Sequence, residues 1–523
     1  MGTDKVIKAA GVVGLGTFLS RILGLLRLQV IAYIFGYSAI TDAFWIGFTL
    51  PNLLRSLLAE GALSTAFIPV FSEWLTKKGE KEAKRLANNV LNILMLLLIV
   101  VVGLGIFFAP QYVPYLAFGF RKIPSQLGLA IKLTQVMFPF LFFISLAALA
   151  MAFLNCKGHF ATPAFAPLLF SVAVILSALF LTPQFGIYSL AIGVVVGGGL
   201  QLLFQIPSLI QRGFGYYPAL SFKDPGIRKI GKLIVPATVG GITLQFNVLI
   251  NRVFASTLVP GSISALLYAM RLIQFPLGLF AIALSTAIFP TLSSLAAKER
   301  VGELREMVSL GVRMVLFVLI PSSVGLIIIR GPLISLLFQH GAFLAEDTVM
   351  TAQALVYYSL GLFAMGEVMV LTRAFYSLQD VFTPVKISIL ILILNVLLNF
   401  LLISPLKHSG LALATSLSMF ANGAILLVLL RRKLKRIEGR KILNSFLKIS
   451  LVTGAMGAGV FLVIEAIPIM TGISLLKAQI AQVCSGIGVG MLIFCGLAYC
   501  LKLDELGVIY QAFRRKKLKS GRR

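Results

Sequence analysis

The sequence predicts an all-α polytopic membrane protein: 14 transmembrane helices, built as two six-helix lobes related by a parallel internal repeat, plus two C-terminal helices. Three observations predict it. Of 523 residues, 59% are hydrophobic and 12% charged, with a mean hydropathy of +0.98; soluble domains carry roughly 25% charged residues. Apolar runs of about the 20 residues that cross a bilayer recur along the whole chain. Two motifs return at one fixed spacing.

The spans lie near 10–36, 40–73, 88–109, 127–155, 163–181, 187–211, 229–258, 263–293, 304–330, 348–377, 384–404, 410–432, 442–466 and 477–501. Lys5 and Lys8 precede the first, but its core holds Arg21 and Arg27 and no small-residue cleavage site follows, so it reads as a retained helix. The net charge of +28 would suit nucleic acid. Its placement excludes that partner, because the basic residues sit in short gaps between spans. One set of loops holds Lys77, Lys78, Lys81, Lys84 and Arg85, then Lys223, Arg228 and Lys229, then Lys298, Arg300 and Arg305. That set continues with Arg431 to Lys441 and ends in the tail from Arg514 to Arg523, while the opposite loops carry few charges. The positive-inside rule then makes both termini cytoplasmic in a multi-pass protein. Anionic membrane lipids are a secondary partner for the same loops.

Residues 62–69 read ALSTAFIP and 283–290 read ALSTAIFP, an offset of 283 − 62 = 221. AFLNCKGHFATPA at 152–164 and AFYSLQDVFTPV at 374–385 place Thr162-Pro163 on Thr383-Pro384 at the same offset. The offset advances six spans. Six is even, so the lobes share an orientation and are related by an axis along the membrane normal. The expected organisation is an N-lobe at 1–211, a cytoplasmic linker at 212–228, a C-lobe at 229–432, two further helices at 433–501 and a basic tail at 502–523.

Arg21, Arg27, Arg55 and Arg271 lie inside spans, where an arginine costs about 2.5–3.5 kcal/mol on insertion scales. Such residues face a wet cavity or a partner. Asp42 and Glu60 are the only acids in the first two spans, so positive charge is in surplus and an anionic ligand is expected. The arginine fork grips phosphate in a bidentate manner, which favours a phosphate or pyrophosphate. In the alternative reading these charges pair with one another and fix helix contacts. Arg21 and Arg27 are six residues apart, about 240° around a straight helix, and converge only if the helix bends, for which Gly24 is a place. Arg252 and Arg373 read either as further cavity charges or as helix-end anchors, and Glu367 stands six residues before Arg373.

Other polar residues carry less. Asn395 and Asn399 share a helix face at i,i+4, and with Asn251 and Thr415 they read first as interhelical hydrogen bonds. His159, His340 and His408 are far apart, and the four cysteines show no metal spacing, so no metal site, cofactor or catalytic centre is expected. GVVVGGG at 193–199 lacks the Lys-Ser/Thr of a phosphate loop and reads as close helix packing.

SRILGLLR (20–27), TDAFWIGFTLPNLLRSLLAEGALSTAFIPVFSEW (41–74) and YSLQDVFTPVKI (376–387) resemble the MurJ (MviN) family of bacterial lipid II flippases, in the MOP exporter superfamily. The likeness runs over nearly the whole chain. It implies a transporter rather than an enzyme, resident in the bacterial inner membrane. The implied action is to move lipid II, the undecaprenyl-pyrophosphate-linked peptidoglycan precursor, to the periplasmic leaflet by alternating access. Arg21, Arg27, Arg55 and Arg271 would be the substrate-binding arginines, with Asp42 and Glu60 as supporting acids. A groove for the lipid tail on the last two helices, coupling to membrane potential or Na+, and cell-wall synthesis proteins as partners follow from the same likeness. Asn251, Asn395, Asn399 and Thr415 match a family sodium site but bring no carboxylate. Two departures stand out: Leu28 where many members have an acid after the second arginine, and Met270 and Gln274 flanking Arg271. Other readings are an exporter of another polyprenyl-linked glycan or of drugs, and a membrane glycosyl- or phosphotransferase. Drug exporters favour carboxylates, and a transferase needs paired acids that the sequence lacks.

Overall fold

A computed structural model describes residues 3–57, 63–471 and 475–508; among them every regular element is helical. Ten helices are long and apolar enough to cross a membrane, or eleven if a pair bent by 42° at Gly361 counts as one span. The protein is a multi-pass helical membrane protein. Glu60 and the tail arginines lie outside the described residues.

The chain forms two compact units: Met1–Ser264 with His340–Phe343, and Ala265–Gln339 with Leu344–Arg523. The first holds α1 (Thr3–Phe35), α2 (Ala39–Leu54), α3 (Ser64–Lys77), α4 (Gly79–Phe107), α5 (Ala109–Leu116), α6 (Pro124–Met137), α7 (Phe140–Cys156), α8 (Ala161–Phe185), α9 (Tyr188–Gln211) and α10 (Pro225–Ser256). Phe67, Phe71, Phe153 and Leu154 fill a core between α3, α4 and α7, onto which Leu209 of α9 and Ile230 of α10 close. The linker before α10 is tied down by asparagines on α4. Asn88 donates to Gly215 O (2.9 Å) and accepts from Tyr217 N (3.1 Å); Asn89 bonds both backbone groups of Ser221 (2.8 Å each); Asn92 donates to Ala219 O (2.8 Å). Asn88 and Asn89 are buried, and the extended linker satisfies their amides as a neighbouring strand would.

After α11 (Ser262–Pro276), which starts at the first unit's edge, the second unit contains α12 (Ile282–Ala297), α13 (Val301–Phe338), α14 (Ala345–Leu360), α15 (Leu362–Ser377), α16 (Phe382–Lys433), α17 (Gly439–Thr471) and α18 (Leu475–Cys500). At 52 residues α16 is twice the length of one span, and it turns at Lys407 (φ 51, ψ −130) into the two helices the sequence separates. A charged knot closes this unit: Arg313 of α13 donates to Glu505 (2.9 Å), which also accepts from Ser445 of α17 (2.7 Å). Glu505 is fully buried, and its Oε1 takes both bonds, so the segment after α18 is held against the bundle by one shared carboxylate oxygen.

The internal repeat extends to backbone detail. α7 and α15 end at Cys156 and Ser377, α8 and α16 begin at Ala161 and Phe382, and each pair keeps the sequence offset. The positive-φ residues Gly158 (φ 71) and Gln379 (φ 60) correspond, as do Gly186 (φ 52) and Lys407 (φ 51). Before the repeated ALST motif, α2 gives way to π-helical turns at 55–57 and α11 to a π-helix at Leu277–Ala281. The expected span 263–293 lies within one continuous helical stretch, Ser262–Ala297, that carries this wide turn, and residues 55–57 place a wide turn in the expected span 40–73; such turns concentrate at functional sites.

Candidate substrate-binding arginines

α1 runs from Thr3 to Phe35 without a break at Gly24, so the two arginines on it stand on different faces. Arg21 is exposed. Arg27 is half-buried with its guanidinium 4.9 Å from the centre of the Phe170 ring on α8. Phe170 in turn packs on Phe140 (5.4 Å) and Phe140 on Phe48 (5.8 Å). A cation over an aromatic face keeps part of its stabilisation where water is scarce, worth about 0.5–2 kcal/mol. Leu28, beside it, is 1% exposed. An acid at that position would be buried in the helix packing rather than presented to the arginine.

Arg55 opens the π turn after α2 and its Nε donates to Asn52 Oδ1 (3.0 Å). The next residue, Ser56, accepts from Gln245 of α10 (2.8 Å), so the turn is pinned from a second helix. Arg252, on the same helix, donates to the Trp45 carbonyl of α2 (2.8 Å) and acts as an anchor between α10 and α2. In the second unit Arg271 is exposed on α11, with Nη1 3.1 Å from Gln274 Oε1, six residues before the π-helix. Each unit thus places one arginine at or just before a wide turn and within reach of an amide side chain.

Asp42 is buried and its carboxylate is used on backbone. It accepts from Gly261 N (2.7 Å), Ser264 N (3.0 Å) and Ser264 Oγ (2.7 Å), capping the start of α11. The described hydrogen bonds of Asp42 include no arginine. Glu60 lies outside the described residues.

Of the expected cation set, the structure joins Asn395 to Asn399, while Thr415 and Asn251 each bond a residue of their own helix. Asn399 donates to Asn395 Oδ1 (3.2 Å), Asn395 donates to Ser418 Oγ across the turn of α16 (3.3 Å), and Thr415 donates to Leu411 O (3.0 Å). Asn251 belongs to the first unit and donates to Asn247 Oδ1 (3.1 Å). Among the described residues no group of three His, Cys, Asp or Glu side chains could hold a metal ion. The four cysteines are free thiols. Arg373 lies 5.2 Å over the Phe289 ring rather than against Glu367.

Two clusters that motif reading missed occupy equivalent places in the repeat. In the first unit Arg212 donates to His159 Nδ1 (3.3 Å), which assigns the ring proton to Nε2 for donation to Thr162 Oγ1 (2.8 Å), and Thr162 bonds Ser208 (2.8 Å). In the second, Lys433 and Thr383 both donate to Asp380 (2.6 and 2.8 Å). Burial and then Arg212 hold the His159 imidazole below its ordinary range. Burial pushes the Asp380 carboxyl up, but Lys433 and the Thr383 amide and hydroxyl outweigh it and hold it down to about 2. The signal was available: all three positions of each cluster, His159/Asp380, Thr162/Thr383 and Arg212/Lys433, keep the offset of the visible motifs.

The fold is shared with a structure titled as an inward-facing multidrug resistance MATE family transporter of the MOP superfamily, at a TM-score of 0.64 with 14% identity over 80% of this chain and 94% of its own. Residues 31–478 match the family described as Lipid II flippase MurJ, and the chain belongs to that family. The Lipid II flippase MurJ of Burkholderia cenocepacia is 37% identical over 423 residues, 80% of this chain and 82% of the relative. A structure of Lipid II flippase MurJ in an inward closed conformation superposes at a TM-score of 0.78, with 30% identity over 94% of this chain and 99% of that one.

Proposed function

We propose that this protein is a flippase that carries lipid II from the cytoplasmic to the periplasmic leaflet of the bacterial inner membrane, with both termini cytoplasmic. The observation that carries the reading is the surplus of intramembrane arginine, in a chain whose named relatives are lipid II flippases. Arg21, Arg27, Arg55 and Arg271 bind the pyrophosphate as the two repeat-related lobes rock between inward and outward openings. Their donors suit an anion with several oxygens. The contact of Arg27 with Phe170 and that of Arg55 with Asn52 lower the cost of arranging these guanidinium groups around a ligand. The sugar–peptide head stays in the aqueous cavity and the polyprenyl tail stays in lipid, on α17 and α18. Any net charge carried across responds to the membrane potential at about 2.3 kcal/mol per charge per 100 mV.

The test is direct binding: purified full-length protein with lipid II, and with the same lipid lacking its pyrophosphate. Tight binding of the first, weak binding of the second, and a loss of at least tenfold in Arg27→Ala and Arg271→Ala are expected. Equal binding of both lipids would overturn the assignment of the arginines.

A further inference from the structure

The repeat that aligns the two units also exposes a position where they differ in kind. Glu367 on α15 corresponds to Leu146 on α7, and Gly423 on α16 corresponds to Leu202 on α9. In the first unit Leu146 is 6% exposed and Leu202 packs with it in one apolar cluster. In the second, the leucine pair is replaced by a carboxylate and the one residue with no side chain. A Cβ on Gly423 would stand 3.2 Å from Glu367 Oε2 and 3.5 Å from its Cδ, so the glycine makes the room that the carboxyl group fills. The fold itself does not require this exchange, since the first unit closes the same packing with leucines.

A carboxylate within a membrane bundle is costly unless something neutralises it. The cationic neighbours are engaged elsewhere. On the helices packed against α15, Arg305 donates to Leu434 O, Arg313 to Glu505 and Arg330 to Ile327 O on α13, and Lys433 of α16 is held by Asp380. Lys386, Lys407, Arg431 and Arg432 of α16 belong to its ends or its turn, and His408 bonds Met350 O. α12 and the π-helix at Leu277–Ala281 carry no titratable side chain. α14 adds only Glu346, Asp347, Tyr357 and Tyr358, and on α15 itself Arg373 lies over Phe289. Among the described residues Glu367 shows no hydrogen bond or ion pair, and it is half-buried.

We propose that Glu367 is an ion-coupling site that takes up and releases a proton. A proton suits the site better than a metal cation. Hard cations take about six oxygen ligands, whereas the residue facing this carboxyl group is a glycine. Uptake neutralises the carboxyl group and lets α15 close against the second half of α16. Release leaves a charge that must be hydrated, which favours opening of the same seam.

The experiment is infrared pH-difference spectroscopy of the full-length protein in liposomes, which reads the protonated carboxyl band without reference to transport and so stands or falls separately from the flippase reading. Wild type is compared with Glu367→Gln and with the double variant Glu367→Leu/Gly423→Leu, which rebuilds the first unit's packing and keeps the test open should the glutamine variant fold poorly. The expected result is a band that grows as pH falls in wild type and loses one carboxyl's contribution in both variants, unchanged when sodium replaces potassium. Identical spectra for wild type and variants would overturn the proposal. A band that shrinks with added sodium at fixed pH would overturn the proton as the ligand.

Discussion

Asp42 illustrates how a charge inside the membrane can be spent on structure. Its two oxygens satisfy donors of Gly261 and Ser264, residues at the exposed-amide start of α11. Asp42→Ala strands those amides and is expected to cost about 1–3 kcal/mol, read as a lower melting temperature of the detergent-solubilised protein. Asp42→Asn keeps one acceptor and should lose less. The arginines are expected to behave in the opposite way: the stacking contact that Arg27→Ala removes is worth about 0.5–2 kcal/mol, and the protein is expected to stay folded while activity disappears. A variant that kept both would contradict the role given to Arg27. The sequence reads Asp42 as an acid supporting the arginines or as their ion-pair partner, because the groups it bonds lie some two hundred residues away, a pairing no local pattern encodes.

At the scale of elements, the repeat makes each unit a control for the other. The turn within α16 puts Lys407 at φ 51, ψ −130, where the first unit has Gly186. A side chain there is strained by about 1–3 kcal/mol, so Lys407→Gly should raise the melting temperature; a fall would mean that the lysine makes a compensating contact. The two polar clusters differ in the same instructive way. His159 has a lowered pKa in the folded protein, so the stability it contributes is full above the ordinary histidine range and falls as pH drops below it. Asp380 contributes above the ordinary aspartate range and loses its contribution only as pH falls toward about 2. Mild acid should therefore speed hydrogen exchange around 157–164 and leave 378–386 unchanged, and His159→Asp, which places a carboxylate beside Arg212, should abolish the difference. On α4, Asn89→Ala frees the linker strand at Ser221, and faster protease cleavage between 213 and 224 is the expected readout.

For the whole molecule, the class was legible from composition and from the spacing of apolar runs, because a bilayer imposes a length on every span. The repeat was legible from two short motifs. What remained hidden was where helices widen or bend: Arg55 and Leu277 sit in π turns and Gly361 in a bend, and the residue types along these stretches do not mark the change. Side-chain partners were hidden for the same reason, since Gln245 with Ser56 and Arg313 with Glu505 join distant segments. The repeat register recovers some of this, as Glu367 and Asp380 show. The central claim is that intramembrane arginines carry lipid II across the membrane, and its most direct measurement is lipid II sidedness in cells that depend on this protein, using a probe confined to the periplasm. Depletion should lower the exposed lipid II, wild type should restore it, and Arg27→Ala and Arg271→Ala should not, although both reach the membrane. Unchanged exposure on depletion, in cells with no second flippase, would contradict the account.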